Sequence, residues 1–420
     1  MSPTEILRSL FDAAVAAAQP EHRIPEFLPA PPPGKTVVVG AGKSAAAMAR
    51  AVEQAWAEPL EGIVVTRYGH GDKTTNIEVL EAAHPVPDVN GMAAAERILE
   101  TVTPLGADDL VICLISGGGS ALLTLPPVGI GLDTLAELNQ QLLRSGADIG
   151  EMNALRKNLS RSSGGRLAAA AYPARVVSLL ISDVPGDNLR AIASGPTVGD
   201  TVTAQAALHI IQKYNLSVPP AVVAYLNDNL YPVVLPDDER LSTTTNHLIA
   251  APQQSLEAAA QVAQEMGYTP LILGSAMEGE ARQVGIVHAG MAQQVVQYGQ
   301  PLAPPCVLLS GGETTVTLTG KAGRGGRNSE FLLSLAVALK GQEKVWAIAG
   351  DTDGIDGSED NAGAIIGPAI LQQGRDRGLK ASDFLAAHDS YSYFQAVDAL
   401  VKTGPTLTNV NDFRALLIDA

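Results

Sequence analysis

The sequence VVVGAGKSAAAMA at residues 37–49 decides the fold of the N-terminal part of the chain. Its valines predict a buried strand, Gly40, Gly42, Lys43 and Ser44 predict a turn, and the alanines after the turn predict a helix. Glycine lets the backbone approach a ligand closely, and the unpaired N–H groups at the start of a helix favour an anion. This stretch therefore predicts an anion-binding turn in an α/β fold.

The same alternation of strands and helices extends outward from this turn. A helix that Ser2 or Thr4 would cap is predicted to run to about Ala18. Apolar runs without polar alternation lie at residues 36–40, 62–66, 109–116 and 174–182, with alanine-rich stretches between them. Such runs indicate a parallel sheet that is covered by helices on both faces.

Prolines and acidic residues interrupt this pattern between residues 214 and 241, which predicts two domains, at residues 1–235 and 236–420. The α/β alternation then resumes. The predicted strands are NHLIAA (246–251), YTPLIL (268–273), PCVLLS (305–310), TTVTLT (314–319) and KVWAIAG (344–350), and the predicted helices cover about 253–266, 279–296 and 329–340. The second half is therefore predicted to be another α/β layer.

The composition excludes several classes of partner. The chain has 28 Lys and Arg residues against 44 Asp and Glu residues, a formal net charge of −16. This balance argues against a basic face for nucleic acid or an anionic membrane. The two cysteines, Cys113 and Cys306, lie in apolar runs and are expected to be buried thiols. Charged residues near the N-terminus argue against a signal peptide, so the sequence predicts a cytoplasmic protein.

Two further glycine-rich segments follow predicted strands and could present backbone N–H groups to phosphate or carboxylate oxygens. They are Ser116, Gly117, Gly118, Gly119 and Ser120 in the first half, and Ser310, Gly311, Gly312 and Glu313 in the second. Each could be a glycine turn without a ligand. Three such turns after strands, with GAGKS included, favour a ligand with several anionic groups.

Acidic residues also stand at the ends of predicted strands. Asp183 and Asp187 lie in ISDVPGD, and Asp351 and Asp353 lie in AIAGDTDG. Carboxylates beside a phosphate are typical ligands of Mg²⁺. Each of these residues could instead form an Asx turn or a helix cap, but the two clusters together favour a functional role.

Basic residues concentrate in two segments. Arg156, Lys157, Arg161 and Arg166 form the first, and Lys321, Arg324 and Arg327 form the glycine-flanked second. Arginine matches phosphate and carboxylate geometry, whereas a solvated charged surface is the alternative for the first segment. His84, in AHPVPD, is open to either a structural turn or a catalytic role.

Taken together, nine motifs resemble the glycerate 2-kinase family, also called the class II glycerate kinases or the MOFRL family. They are GAGKSA (40–45), AHPVPD (83–88), LISGGGSALL (114–123), ISDVPGD (181–187), SGPTVGD (194–200), LSGGETTV (309–316), GRGGRNSE (323–330), AGDTDGIDG (349–357) and TGPTLTNVND (403–412). The resemblance implies two α/β/α domains: an N-terminal Rossmann-like domain with a mainly parallel sheet and a smaller C-terminal MOFRL domain. The active site would lie in the cleft between them.

The resemblance also implies ATP-dependent phosphorylation of D-glycerate at its 2-hydroxyl group, with Mg²⁺ as cofactor. It suggests Lys43, Arg327, Asp183 and Asp187 as catalytic residues and Asp351 and Asp353 as metal ligands. Nucleotide or substrate binding would fall to Gly40, Gly42, Ser44, the segments 116–120 and 310–313, Arg324, Asn328, Asn409 and Asn411. Gly199 and Leu407 depart from the family pattern, which puts the local backbone shape in question. A homodimer is compatible with the sequence.

Two other functions compete with a kinase. Gly40, Gly42 and Ala45 also fit the dinucleotide pattern G-x-G-x-x-[GA], which would suit an NAD(P)H-dependent hydroxypyruvate reductase. However, Thr66 and Arg67 stand where an NAD site carries a ribose-binding acid, and Arg67 leaves an NADP site as the alternative. The third possible function is a regulator that binds nucleotides or sugar phosphates without turnover. This function does not explain why acids and cations occur together at the strand ends.

Overall fold

The computed structural model describes residues 1–147, 149–318 and 323–420. The strands are β1 Thr36–Ala41, β2 Glu61–Arg67, β3 Ile77–Ala82, β4 Leu110–Ile115, β5 Arg175–Ile181, β6 Thr244–Ala250, β7 Thr269–Glu280, β8 Cys306–Thr315, β9 Val345–Asp351, β10 Gly363–Ile366, β11 Leu400–Val401 and β12 Asp412–Ile418. The helices are α1 Pro3–Ala17, α2 Pro20–Arg23, α3 Ala45–Ala55, α4 Val89–Val102, α5 Gly119–Leu122, α6 Leu132–Ser145, α7 Ile149–Asn158, α8 Arg166–Ala171, α9 Ala204–Lys213, α10 Pro220–Asp228, α11 Pro252–Glu265, α12 Ala281–Tyr298, α13 Arg327–Leu339, α14 Ile370–Asp376, α15 Ala381–Ala386 and α16 Ser390–Ala396.

The described residues form two compact units. The N-terminal unit comprises Pro20–Ser182 and Asp187–Ile249, and the C-terminal unit comprises Met1–Gln19, Asp183–Gly186 and Ala250–Ala420. The domain boundary between residues 235 and 236 stays a prediction. The two units differ from it because helix α1 belongs to the C-terminal unit and most of strand β6 to the N-terminal one.

The N-terminal unit contains a six-stranded sheet in the order β3-β2-β1-β4-β5-β6. The four pairings from β3 to β5 are parallel. This order is that of doubly wound α/β sheets, in which ligands bind beyond the carboxyl ends of the strands. All residues of β1 and β4 are buried, which confirms the prediction made from their apolar runs. Strand β3 was not predicted, because Glu78 and Glu81 interrupt its apolar residues.

The C-terminal unit contains a mixed sheet in the order β11-β10-β9-β12-β8-β7. Only the pair β7–β8 is parallel. Helix α1 packs on this sheet through Leu7, Leu10 and Phe11, and the Phe11 ring meets Phe413 of β12 at 5.9 Å between centroids. The predicted cap of α1 is confirmed, since Ser2 and Glu5 form a reciprocal capping box.

Two predictions about local structure were wrong. The segment Ser310–Glu313 is no loop, because β8 continues through it and pairs with β12. The segment 314–319 is no separate strand: β8 ends at Thr315, residues 316–318 are outside any strand, and residue 319 is not among the described residues. The strand predicted at 246–251 is confirmed as β6, Thr244–Ala250, which lies at one edge of the first sheet.

Glycine explains why β8 can continue through Ser-Gly-Gly. A Cβ atom at Gly312 would lie 2.2 Å from backbone atoms of Met277, where β7 carries a bulge against β8. The sequence pattern of a glycine turn therefore marks a close approach of two strands here.

Both cysteine thiols are buried, as predicted, and burial raises the pKa of the Cys113 thiol to about 12. Leu407, where the family pattern has glycine, adopts a left-handed backbone with φ of 61°. No helix of the described residues combines the length and the hydropathy that a membrane span would need.

A buried histidine lies on α12, facing β8. His288 is 1% exposed; its Nδ1 is 2.9 Å from the Val284 carbonyl oxygen and its Nε2 is 3.1 Å from the Ser310 hydroxyl. Its ring also meets the Phe331 ring edge-on at 5.1 Å. Burial, with the nearby charge of Arg414, lowers the pKa of His288 to about 4. The ring is therefore neutral in the folded protein near pH 7.

We expect His288 to make stability fall at acidic pH. The unfolded chain protonates this ring below about pH 6.5, whereas the folded chain does not until about pH 4. Stabilisation is thus complete above pH 6.5 and is lost as the pH falls from 6.5 to 4, by about 3 kcal/mol in total. Unfolding midpoints measured across this range should fall more steeply for the wild type than for His288→Gln. The exposed His209, changed to Gln, is the control; equal slopes for wild type and His288→Gln would contradict the expectation.

Candidate active site

Arg327 lies at the centre of a group of carboxylates in the C-terminal unit. Its Nε donates to Asp412 at 2.7 Å, its Nη1 to Glu313 at 2.8 Å, and its Nη2 to Asp351 at 2.9 Å. The three acids come from β12, β8 and β9, which are neighbours in the sheet. Arg327 is the first residue of α13, so the helix start holds the guanidinium against the three strands.

This arrangement fixes both the charge and the position of Arg327. Burial disfavours the charged guanidinium, but the carboxylates of Asp412, Asp351 and Glu313 together raise its pKa well above the ordinary value. The Arg327 side chain is 24% exposed, whereas that of Asp412 is fully buried. The guanidinium can therefore face a ligand while the carboxylates hold it from behind.

Asp412 links Arg327 to a second arginine. Its Oδ2 accepts from Arg414 Nη2 at 2.5 Å, and its Oδ1 also accepts from Asn328 Nδ2 at 2.7 Å. Arg414 is fully buried, donates to Thr314 as well, and stacks on the Phe331 ring at 5.1 Å. Burial acts to raise the pKa of Asp412, but the charges of Arg327 and Arg414 outweigh it and lower that pKa.

The turn after β9 brings further predicted residues together. The Asp353 N–H donates to Asp351 Oδ1 at 3.0 Å, and Asn411 Oδ1 lies 3.4 Å from Arg327 Nη2. Asn411 also donates to the backbone carbonyl of Asp183, and Asn409 Nδ2 donates to the Asp183 carboxylate at 3.1 Å. Asp183 therefore belongs to the same cluster of the C-terminal unit as Arg327.

The start of α13 is held by a buried acid. Asp356 accepts from the backbone N–H groups of Asn328 at 2.9 Å and Ser329 at 2.8 Å. A carboxylate at this position satisfies the free N–H groups of the helix and complements its dipole. Gly326 is required beside it, because a Cβ atom there would lie 2.3 Å from Asp356 Oδ1.

In the N-terminal unit, the predicted turn at Gly42, Lys43 and Ser44 connects β1 to α3. Gly42 has φ of 141°, and a Cβ atom there would lie 2.1 Å from Ser116 Oγ. The Ser116 hydroxyl in turn accepts from the Ser44 N–H at 3.0 Å, and the Gly117 carbonyl accepts from the Lys43 N–H at 2.8 Å. The two glycine-rich segments are therefore one structure at the carboxyl ends of β1 and β4.

The segment 116–120 forms a turn and the short helix α5, as predicted for a loop after a strand. Gly118 has φ of 80°, and a Cβ atom there would lie 3.0 Å from the His84 ring and 3.3 Å from the Lys43 side chain. His84, Gly118 and Lys43 are thus neighbours, whereas the Ser120 hydroxyl contacts that of Ser194 at 2.8 Å.

Other predicted residues have structural partners or lie apart. Arg324 is half exposed, pairs with Glu359 and stacks on the Tyr391 ring at 4.2 Å. Asp187 belongs to the N-terminal unit, unlike Asp183. Ser310 and Gly311 lie inside β8, where their backbone pairs with β12. Lys321 lies outside the described residues.

Asp412 and Arg414 also belong to this cluster, although neither was predicted from the sequence. Asp412 ends the quoted motif TNVND, so an acid next to two named asparagines was the available signal. Arg414 stands in an apolar run, FRALLI, and only a buried charge needing an acid partner could have pointed to it.

The acids fit Mg²⁺ only as a partial ligand set. Within residues 1–147, 149–318 and 323–420, no three His, Cys, Asp or Glu side chains are grouped to hold a metal ion. Asp351 and Asp353 are adjacent at the end of β9, and Mg²⁺ needs only one or two carboxylates when phosphate oxygens and water complete its shell. The two side chains therefore fit a metal that arrives with a phosphate group.

Known protein families and individual proteins are similar to this chain, the individual proteins along nearly its whole length. Residues 6–227 match a domain of unknown function, DUF4147, and residues 306–412 match the MOFRL family. An Agrobacterium vitis protein, provisionally named a hydroxypyruvate reductase, is 53% identical over 100% of this chain and 95% of its own. A D-glycerate 2-kinase from Thermotoga maritima is 38% identical over 95% of this chain and 94% of its own.

The fold agrees with these matches. The crystal structure of glycerate kinase from Thermotoga maritima superimposes with a TM-score of 0.89 and 36% identity, over 99% of each chain. The resemblance found in the motifs is thus confirmed at the level of domains, sequence and fold. The chain, which matches both DUF4147 and MOFRL, belongs to the glycerate kinase family.

Proposed function

We propose that this enzyme transfers a phosphoryl group from ATP to the 2-hydroxyl of D-glycerate, giving 2-phosphoglycerate and ADP. The observation that carries the proposal is Arg327, a cation fixed by three acids, in a chain whose relatives along nearly its whole length include a D-glycerate 2-kinase. Phosphoryl transfer depends mainly on positioning and on neutralising charge, which fixed cations provide.

Cationic and acidic side chains would have different roles in this transfer. Arg327 would bind an anionic oxygen of the phosphoryl group or of the glycerate carboxylate through the exposed part of its guanidinium. Lys43, on the turn between β1 and α3, would supply a second positive charge. Asp183 or Asp187 would orient or deprotonate the 2-hydroxyl group, and Asn409 supports Asp183 in this role with a hydrogen bond of 3.1 Å.

Asp351 and Asp353 would hold Mg²⁺, directly or through water. When bound, the metal would neutralise charge on the phosphate oxygens. Arg327 pairs with Asp351 at 2.9 Å and so offsets part of the negative charge that this carboxylate would bring beside a phosphate. Three further properties stay predictions: that the active site lies in the interdomain cleft, that the enzyme is a homodimer, and that it is located in the cytoplasm.

A reductase is the second candidate, because the 53% identical relative carries that name. The end of β2 argues against NADH as its cofactor, because Thr66 and Arg67 stand there and not an acid for the ribose. Thr66 is fully buried and its hydroxyl donates to the Lys43 carbonyl at 3.2 Å. An NADPH-dependent reductase would instead use Arg67 to bind the 2′-phosphate.

A direct assay separates these functions. ADP release should depend on D-glycerate, ATP and Mg²⁺, and NMR of the product should show the phosphate on C2. Oxidation of NADH or NADPH with hydroxypyruvate, without ADP release, would establish the reductase instead. A phosphate on C3 would refute the proposed position. A ligand-induced thermal shift without turnover would favour a regulator.

We expect Lys43→Ala to lower kcat about a hundredfold, on the order of 3 kcal/mol, because one charge near the transferred group is lost. Lys35→Ala in the same unit is the control, since Lys35 is exposed and pairs only weakly with Glu61, at 3.8 Å. Steady-state kinetics of folded variants test this. Near-normal turnover by Lys43→Ala would remove Lys43 from the catalytic residues.

A further inference from the structure

The basic segment at residues 156–166, which runs from the end of α7 to the start of α8, is not accounted for by the proposed function. Lys157 pairs with Asp200, Arg161 pairs with Glu96, and Arg156 donates to Asn139. Arg166 differs from Lys157 and Arg161, because no carboxylate of the described chain pairs with it.

Arg166 is held in place by backbone carbonyls only. Its Nη1 donates to Lys157 at 2.8 Å and Ser163 at 2.9 Å, and its Nη2 donates to Tyr231 at 2.7 Å. Its Nε is buried and has no hydrogen-bond partner. A guanidinium has five N–H bonds, so the second hydrogen of Nη2 remains for another acceptor, whereas the buried Nε is closed to one.

This guanidinium lines a cavity of about 540 Å³ that lies wholly within the N-terminal unit. Burial lowers the pKa of Arg166 to about 10, which shows how little compensating negative charge surrounds it. Buried charges in proteins are normally paired. An anion that accepts from the free Nη2 hydrogen would supply the negative charge that Arg166 lacks.

The rest of the lining restricts the kind of anion. Leu99, Pro104 and Ala170 give it an apolar wall, whereas Glu96 and Glu100 are exposed carboxylates at its margin. Arg161 also lines the cavity and pairs with Glu96 at 3.4 Å, so Glu100 is the carboxylate left to oppose an incoming anion. Its charge disfavours a dianion such as phosphate, whereas a monocarboxylate can accept from the free Nη2 hydrogen of Arg166.

We propose that this cavity binds a small organic monocarboxylate, with the carboxylate on Arg166 and the apolar body against Leu99, Pro104 and Ala170. The site is separate from the residues assigned to phosphoryl transfer, so it stands or falls independently of the proposed function.

Isothermal titration calorimetry on the full chain tests the proposal, with hexanoate as probe, 1-hexanol as its uncharged counterpart and inorganic phosphate as the competing anion. We expect one hexanoate per chain, bound at least tenfold more tightly than hexanol or phosphate. Arg166→Gln should weaken hexanoate binding at least tenfold, because it removes the charge.

Ala170→Phe is a second variant that fills the cavity and keeps Arg166, so the test survives if Arg166→Gln fails to fold. It should weaken binding to the same extent. Arg97→Gln is the control, because Arg97 lies on α4 beside the lining residues Glu96 and Leu99 but pairs with Glu78 outside the cavity. Three results would overturn the proposal: no saturable hexanoate binding, tighter binding of phosphate, or binding that Ala170→Phe leaves unchanged.

Discussion

Arg327→Ala is expected to lower kcat at least a hundredfold and to lower the free energy of unfolding by about 3 kcal/mol. The two effects have one cause. The guanidinium offsets part of the charge of Glu313, Asp351 and Asp412 at distances of 2.7 to 2.9 Å. Its removal takes this partner from all three acids, although Asp412 keeps Arg414, and also deletes a cation for the substrate.

Arg327→Lys separates these effects. A lysine retains one positive charge but cannot donate to three acids from a planar fork. We expect it to recover part of the stability and little of kcat. Kinetics and urea unfolding on the same samples measure both, with the exposed Arg375→Ala in the same unit as control. Full activity of Arg327→Lys would show that only charge matters at this position, and full activity of Arg327→Ala would exclude it from the site.

The elements that were predicted correctly are those whose own residues determine their structure. Strands β1, β4 and β5 are continuous apolar runs, and α1 carries its own capping box at Ser2 and Glu5. The turn at Gly42 was equally visible, because its glycine, lysine and helix start are adjacent in sequence.

The errors concern structure that distant residues impose. Gly312 looks like a turn residue until Met277 is known to lie against it, and β6 could not be assigned to a sheet before its partner was known. Within the candidate site, Arg327 and Asp351 were identified from their motifs. The link from Arg327 through Asp412 to Arg414 was not identified. The sequence of β12 indicates an apolar strand and does not show which charged residues lie on the neighbouring strands.

Asp412 shows how strongly such a link can matter for stability. Its carboxylate is fully buried between Arg327 and Arg414, and the Arg414 side chain is fully buried as well. In Asp412→Ala the Arg414 guanidinium would lose its only acid partner among the described residues. Breaking a buried pair by removing one member costs about 3–5 kcal/mol, and we expect a loss of this size in the free energy of unfolding.

A double variant identifies the cause of that loss. Asp412→Ala combined with Arg414→Met removes the stranded charge, so it should be more stable than Asp412→Ala alone. Asp12→Ala on α1 is the control: its partner Arg8 is exposed, and the change should cost less than about 1 kcal/mol.

The lowered pKa of Asp412 also makes its contribution to stability depend on pH. Its stabilisation is present above the unfolded pKa of about 4 and is lost as the pH falls below it, so wild type and Asp412→Ala should converge in stability at acidic pH. A double variant no more stable than the single one would mean that Asp412 acts through Arg327 and not through Arg414.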